Sequence, residues 1–307
     1  MRCVQRIASL IPSATEIVCA LGFEQWLVGR SHECDFPRSV GALPALTRAK
    51  LDVGGTSARI DRDVRTLLEQ GLSVYEVDVE GVRRASPDWI LTQDQCAVCA
   101  ASLADVETAL AQYTGAAPRV LSLDPRTLGD VLRDAIRVAS ALGAPERGRA
   151  LAERLQVRIS DLGERAAGTA SRPTVACVEW IDPLMTAGNW MPELVALAGG
   201  RAAFGETGRA STWTTWEALR DADPDVLVVL PCGFDLARTR AELGPLVAQP
   251  GFEELRALRN GHAVIVDGNQ YMNRPGPRLV ESLEILCETI HPEAFEPKHR
   301  GEGWEPI

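Results

Sequence analysis

The chain has 307 residues, 46% hydrophobic, 24% charged and 5% aromatic, an ordinary globular composition with apolar surface enough for a sizeable core. Such a length suits two domains of about 100–200 residues each. A formal net charge of -10 and a pI near 5.1 exclude nucleic acid, whose phosphates demand a basic face, and disfavour an anionic membrane surface.

No apolar run approaches the roughly 18 residues that a span needs, so no membrane insertion is expected. The stretch Arg2 to Ile11 reads as a first strand and not as a basic, apolar, small-residue leader. If Met1 is the native start the protein is expected in the cytoplasm; if a leader has been removed, it is periplasmic or exported. The cysteines, at 3, 19, 34, 96, 99, 177, 232 and 287, form no framework of a small secreted domain and fit reduced thiols.

In chain order, β-branched or apolar runs at Arg6–Ile11, Trp26–Gly29, Trp89–Thr92 and Arg119–Ser122 predict the strands of a first lobe. Thr127 to Leu142 reads as a helix with Gly143 as its stop, and Pro145 suits the first turn of the next one. That next helix runs to about Ala167, with Leu151, Leu155, Ile159, Leu162 and Ala166 on one face. It would span roughly 34 Å and is read as a spacer between two lobes. Strands at Thr174–Val178, Val226–Leu230 and Ala263–Asp267 follow. Strands alternating with helices imply an α/β fold with parallel sheets. The expected divisions are a lobe over 1–124, connecting helices over 125–168, a second lobe over 169–292, and a poorly ordered tail over 293–307.

One segment is repeated. Glu80-Gly81-Val82-Arg83-Arg84-Ala85-Ser86-Pro87-Asp88-Trp89 resembles Glu217-Ala218-Leu219-Arg220-Asp221-Ala222-Asp223-Pro224-Asp225-Val226. In both, a helix bearing a glutamate ends at Pro-Asp and a buried strand follows, which makes the two lobes structural cousins.

In parallel α/β sheets, ligands bind beyond the carboxyl ends of the strands. The candidates so selected are Ser13, His32, Glu33 and Gln95 in the first lobe, and Glu179, Trp180, Trp190, Cys232, Gly233, Phe234 and Tyr271 in the second, with Trp213 joining them. Arg30, Arg209 and Arg274 are the cations available to an anionic ligand, though they form no evident cluster; Arg274 is kept in the ligand set. Cys96 and Cys99 have the spacing of a zinc half-site without a second pair, of a redox pair at a helix start, or of two buried small residues. His32 is a further potential metal ligand, and a surface donor is its plainer role. No GxGxxG after a strand, GxxxxGK[ST], GxSxG or HExxH occurs, so no enzyme is expected.

The block from Ile7-Ala8-Ser9-Leu10-Ile11-Pro12-Ser13 to Thr15-Glu16, with Ala20-Leu21-Gly22 and Val28-Gly29-Arg30-Ser31-His32-Glu33-Cys34-Asp35-Phe36-Pro37, is one set of landmarks. Asp182-Pro183, Thr186-Ala187-Gly188, Ala198-Gly199-Gly200 and Arg274-Pro275-Gly276-Pro277-Arg278 are the others. In this order they resemble the cobalamin-binding branch of the helical-backbone (class III) substrate-binding proteins that serve ABC importers. The resemblance runs from about residue 5 to 292. It implies two Rossmann-like lobes with mostly parallel sheets joined by a long α-helix. It also implies a non-catalytic monomer needing no cofactor, which holds a corrinoid such as cobalamin in the cleft between the lobes. A flat macrocycle suits the aromatic rim of Trp180, Trp190, Trp213, Phe234 and Tyr271. The resemblance further implies that Glu80 and Glu217 dock onto arginines of an ABC permease. Two alternatives remain: a cytoplasmic thiol-based metal or corrinoid chaperone or redox protein on the same scaffold, and a haem or siderophore receptor.

Overall fold

The computed structural model describes residues 5–94, 101–111 and 117–307. Its strands are β1 (Ile7–Ser9), β2 (Leu27–Arg30), β3 (Thr47–Ala49), β4 (Tyr75–Val77), β5 (Trp89–Gln93), β6 (Arg119–Leu123), β7 (Thr174–Trp180), β8 (Met185–Thr186), β9 (Arg201–Ala202), β10 (Thr212–Trp213), β11 (Val226–Val229), β12 (Ala263–Val266) and β13 (Trp304–Pro306). The helices are α1 (Pro12–Ala20), α2 (Ser57–Glu69), α3 (Val79–Ala85), α4 (Leu103–Leu110), α5 (Leu128–Ala141), α6 (Pro145–Ala167), α7 (Met191–Leu197), α8 (Trp216–Ala222), α9 (Leu236–Glu242), the short α10 (Gly244–Val247) and α11 (Arg256–Arg259), and α12 (Leu279–Ile290).

One sheet has the order β2-β1-β5-β6, parallel throughout. The other runs β10-β8-β7-β11-β12-β13, with β9 also pairing β7. In it β9, β7, β11 and β12 are parallel, while β8, β10 and β13 add antiparallel margins. The parallel parts, β2-β1-β5-β6 and β9-β7-β11-β12, therefore share one plan. Each is buried on both faces, as a sheet covered by crossover helices must be: Ile7, Ala8, Ile90 and Leu91 in one, and Val178, Leu227, Val229 and Ile265 in the other, are at most 1% exposed.

The repeated segment has the same construction in both copies. Asp78 caps α3 by accepting from the Gly81 N–H, and Thr215 caps α8 by accepting from the Ala218 N–H. Each helix stops at a left-handed residue, Ser86 (φ 42°) or Asp223 (φ 36°), before the proline. The aspartate that follows then clamps the head of the neighbouring strand: Asp88 Oδ2 accepts from Arg6 N and Asp225 Oδ2 from Thr174 N, both at 2.8 Å. In return the Asp88 N–H donates to the Arg6 carbonyl and the Asp225 N–H to the Thr174 carbonyl, again both at 2.8 Å.

Gly143 (φ 72°) ends α5, and Pro145 opens α6, whose Leu151, Leu155, Ile159, Leu162 and Ala166 are buried. This helix carries the chain from one unit into the other, the boundary falling between Glu153 and Arg154. The first unit holds the described residues of Met1–Gly55, Arg62–Pro125 and Asp130–Glu153; the second holds Thr56–Asp61, Arg126–Gly129 and Arg154–Ile307. A division by sequence halves misses the two short excursions, because packing assigns them: Ser57 N donates to Glu242 at 2.9 Å, and Leu128 N to Glu193 at 2.9 Å.

The C-terminal segment 293–307, expected to be poorly ordered, is instead part of the second unit. β13 pairs antiparallel with β12, and Phe295 and Trp304 are 5% and 8% exposed. The Trp304 indole N–H donates to Glu288 Oε2 at 2.7 Å, and His299 Nε2 meets Glu284 Oε2 at 3.0 Å, which ties the segment to α12. A short strand ending in proline gives no alternation to read, so only its pairing reveals it.

Candidate functional site

All strands of a parallel sheet end on one edge, so segments far apart in sequence meet there. In the second unit that edge gathers Glu179 and Trp180 at the end of β7, Pro231 to Phe234 after β11, and Asp267 to Tyr271 after β12. The turn after β11 closes by a hydrogen bond from Phe234 N to the Pro231 carbonyl at 3.1 Å, with Gly233 at φ 75°. A positive φ at the third position is what a glycine supplies without strain. The same turn places Cys232 N on the Glu179 carbonyl at 3.1 Å.

Trp180 is half-buried, its ring lying 5.3 Å from that of Phe234 and its N–H donating to the Ser57 carbonyl at 3.3 Å. Phe234 itself is 2% exposed, with the Arg238 guanidinium 3.8 Å above its ring. It backs Trp180 and leaves the set of residues that can touch a ligand directly. Trp190 leaves it too: it is 5% exposed, and its N–H donates to the Met272 carbonyl at 2.9 Å, so it is core. Arg274 is likewise 6% exposed and donates to Asn269 Oδ1. Trp213 is 54% exposed on the marginal strand β10, and Tyr271 is half-buried against His299.

Glu179 shows how this edge treats charge. Its side chain is half-buried, and that burial pushes the carboxyl up to about 7, against the pull of the Ser211 hydroxyl, which donates to Oε2 at 2.8 Å. The Ser211 oxygen in turn accepts the Gly188 N–H at 3.1 Å. Gly188 has no room for a side chain, since a Cβ there would lie 2.4 Å from the Arg209 carbonyl oxygen. Ser211 was not among the residues selected from sequence, because its contact with Glu179 spans 32 positions.

In the first unit the edge is built around His32, after β2. Its Nδ1 lies 2.8 Å and its backbone N 3.2 Å from Thr47 Oγ1, and the Thr47 hydroxyl donates to Ser31 Oγ at 3.0 Å. Glu33 accepts from the Tyr75 hydroxyl at 3.1 Å, and the Tyr75 ring lies 5.7 Å from that of His32. Burial, then the Arg30 charge, lowers the His32 pKa and so disfavours the imidazolium. Thr47 and Tyr75 also escaped sequence reading, since β3 and β4 carry too few residues to show a period. Ser13 is 1% exposed and its hydroxyl meets no hydrogen-bond partner.

Gln95, Cys96 and Cys99 lie outside the described residues. Among the described cysteines, burial pushes Cys19, Cys177 and Cys287 up to about 12, the opposite of what a reactive thiolate requires. Cys34 is buried with its Sγ 3.0 Å from Thr15 Oγ1. Among the described residues no group of three or more His, Cys, Asp or Glu side chains is arranged to hold a metal ion, and no helix is long and apolar enough to cross a membrane.

Residues 7–270 match the family described as periplasmic binding protein. The chain is 24% identical over 299 residues to an uncharacterized ABC transporter substrate-binding lipoprotein, YvrC, of Bacillus subtilis, covering 95% of this chain and 82% of that one. It is 22% identical over 287 residues to a vitamin B12-binding protein of Photorhabdus laumondii, covering 93% and 88% respectively. Among solved structures it is similar to the periplasmic heme-binding protein RhuT from Roseiflexus sp. RS-1, with a TM-score of 0.71 at 23% identity over 94% of this chain and 99% of that one.

Proposed function

The chain belongs to the periplasmic binding protein family, and from that premise we propose that it captures a corrinoid for an ABC importer. Members are carriers and not enzymes, and the chain is a substrate-binding protein of the ABC-importer type. The ligand is the part proposed. The observation that carries it is the half-buried Trp180, tilted against the buried Phe234 beside Glu179, whose raised proton affinity leaves it partly protonated at pH 7. A flat, apolar-edged macrocycle bearing amide arms finds there an aromatic face held rigid from below and a carboxyl able to hydrogen-bond an amide. Vitamin B12-binding relatives spanning nearly the whole chain support the same reading.

His32, Glu33, Glu179, Trp180, Trp213, Cys232, Gly233 and Tyr271 are the proposed ligand-contacting residues; Ser13, 1% exposed, leaves the set for the same reason as Phe234. Glu80 and Glu217, exposed on the duplicated helices α3 and α8, are the proposed contacts for a permease. Capture on the outer side of the membrane accords with periplasmic and lipoprotein relatives. Calorimetry with cyanocobalamin tests the ligand. Binding is expected, and Trp180→Ala should weaken it roughly tenfold, the loss of about 1.4 kcal/mol of contact. Absence of heat at high micromolar concentration, with haemin binding instead, would replace the corrinoid by a haem.

A further inference from the structure

The hydrogen bonds around His32 fix which of its ring nitrogens carries the proton. The Thr47 hydroxyl has a single hydrogen, and it donates this to Ser31 Oγ at 3.0 Å. One lone pair of Thr47 Oγ1 accepts the His32 backbone N–H at 3.2 Å. What remains to face Nδ1, 2.8 Å away, is the second lone pair, so Nδ1 bears the hydrogen and donates it. In a neutral imidazole the other nitrogen then has a free lone pair. No protein partner for Nε2 occurs among the described residues, and it is not among the buried unpartnered atoms, so it faces accessible space.

A histidine whose Nδ1–H is held by a hydroxyl and whose Nε2 is open has the electronic arrangement of a metal ligand with its supporting partner. Yet the described residues offer no set of donors to cage a bare ion. A lone imidazole suits a metal that arrives already bound on its other positions. We propose that His32 Nε2 is an axial ligand to the metal of a metal-bearing macrocycle, which makes the cargo one with an exchangeable axial site. The inference rests on the macrocycle reading given above and adds which atom meets the metal. The step is a substitution: the Nε2 lone pair forms a metal–nitrogen bond as a metal–water bond breaks, and the water leaves. The Nδ1 proton stays on the bond to Thr47, and no electron is transferred. The Tyr75 ring, anchored through its hydroxyl to Glu33, limits rotation of the imidazole.

Visible spectra of the full chain mixed with aquocobinamide, with haemin and with metal-free protoporphyrin test it. The expected result is a shift of the bands of one metal macrocycle on binding. His32→Ala and His32→Gln should abolish that shift and weaken binding roughly tenfold or more, leave any binding of the metal-free ring unchanged, and regain the shift when imidazole is added. Whether cobalt or iron responds identifies the metal. Circular dichroism melts matching the parent show that the variants are folded. A bound macrocycle with unshifted bands in both metal arms, or variants that reproduce the parent spectrum, would overturn the axial role and leave the capture function standing. Binding to none of the three compounds would overturn the macrocycle reading itself.

Discussion

Glu179 sits where a strand ends and solvent begins, and its proton affinity follows from that position. A carboxyl held up at about 7 when folded, against 4.5 as its ordinary value, binds a proton more tightly in the folded chain. Its favourable contribution is complete below about 4.5 and is lost as pH rises through about 7. Glu179→Gln keeps an acceptor for the Ser211 hydroxyl and removes the buried charge. The variant should therefore melt higher than the parent at pH 8, by about 1–3 kcal/mol in stability, and show little difference at pH 4.5. Paired thermal melts at the two values check this; parallel behaviour would mean that the carboxylate remains hydrated. Glu284 has the opposite sign from Glu179, and its partner His299 has the same sign. Hydrogen bonding between them raises the histidine and, with Arg158, holds the glutamate near 2. This pair stabilises above the ordinary carboxylate range and fades as pH climbs through the raised histidine value.

At the scale of elements, the segment 293–307 shows how a strand without a sequence signature is held. Trp304 contributes its ring to the second unit and its N–H to Glu288, while α12 supplies both acidic anchors. Trp304→Ala should cost about 3–5 kcal/mol, read as a lower midpoint in urea unfolding, because it empties a buried site and leaves Glu288 short of a donor. The contrast with the parallel strands explains what the sequence discloses. Runs such as Val226-Leu227-Val228-Val229 lie in the middle of a sheet, where both faces must be apolar, so composition alone marks them. β8, β9 and β10 have two residues each, below any readable period; β8 and β9 are held by pairing with β7, and β10 by pairing with β8. The site divides in the same way. Glu179, Trp180 and His32 are visible as residues following strands. Ser211 and Thr47 are set by contacts across 32 and 15 positions, and nothing local announces them. Trp190 and Phe234 are buried, because a residue near a strand end can turn inward as readily as outward.

The whole molecule repeats one plan, and the repeat has a functional reading in Glu80 and Glu217. Neither supports the fold: Glu80 is exposed and bonded to Arg83 one turn away, and Glu217 is exposed on α8. Replacing both by alanine should change stability by no more than about 0.5 kcal/mol and leave ligand affinity intact. Co-purification with the permease should fall; undiminished retention would remove the docking role. One of the crossings between units is made inside a continuous helix, α6. Val157 is 54% exposed in α6, so Val157→Pro acts on the backbone alone, removing the bond to residue 153 at the unit boundary. A loss of about 3 kcal/mol or more is expected in denaturant titration, with Val157→Ala as the near-neutral comparison.

The pairing of β13 has a practical corollary. Pro306 lies opposite Val264 and the Ile307 N–H donates to the Ala263 carbonyl, at the amino end of β12. A fluorophore, affinity handle or surface linkage attached after Ile307 would thus leave from the side of the sheet remote from Trp180 and Glu179. Immobilised that way, the protein should report cargo with its receiving edge unobstructed.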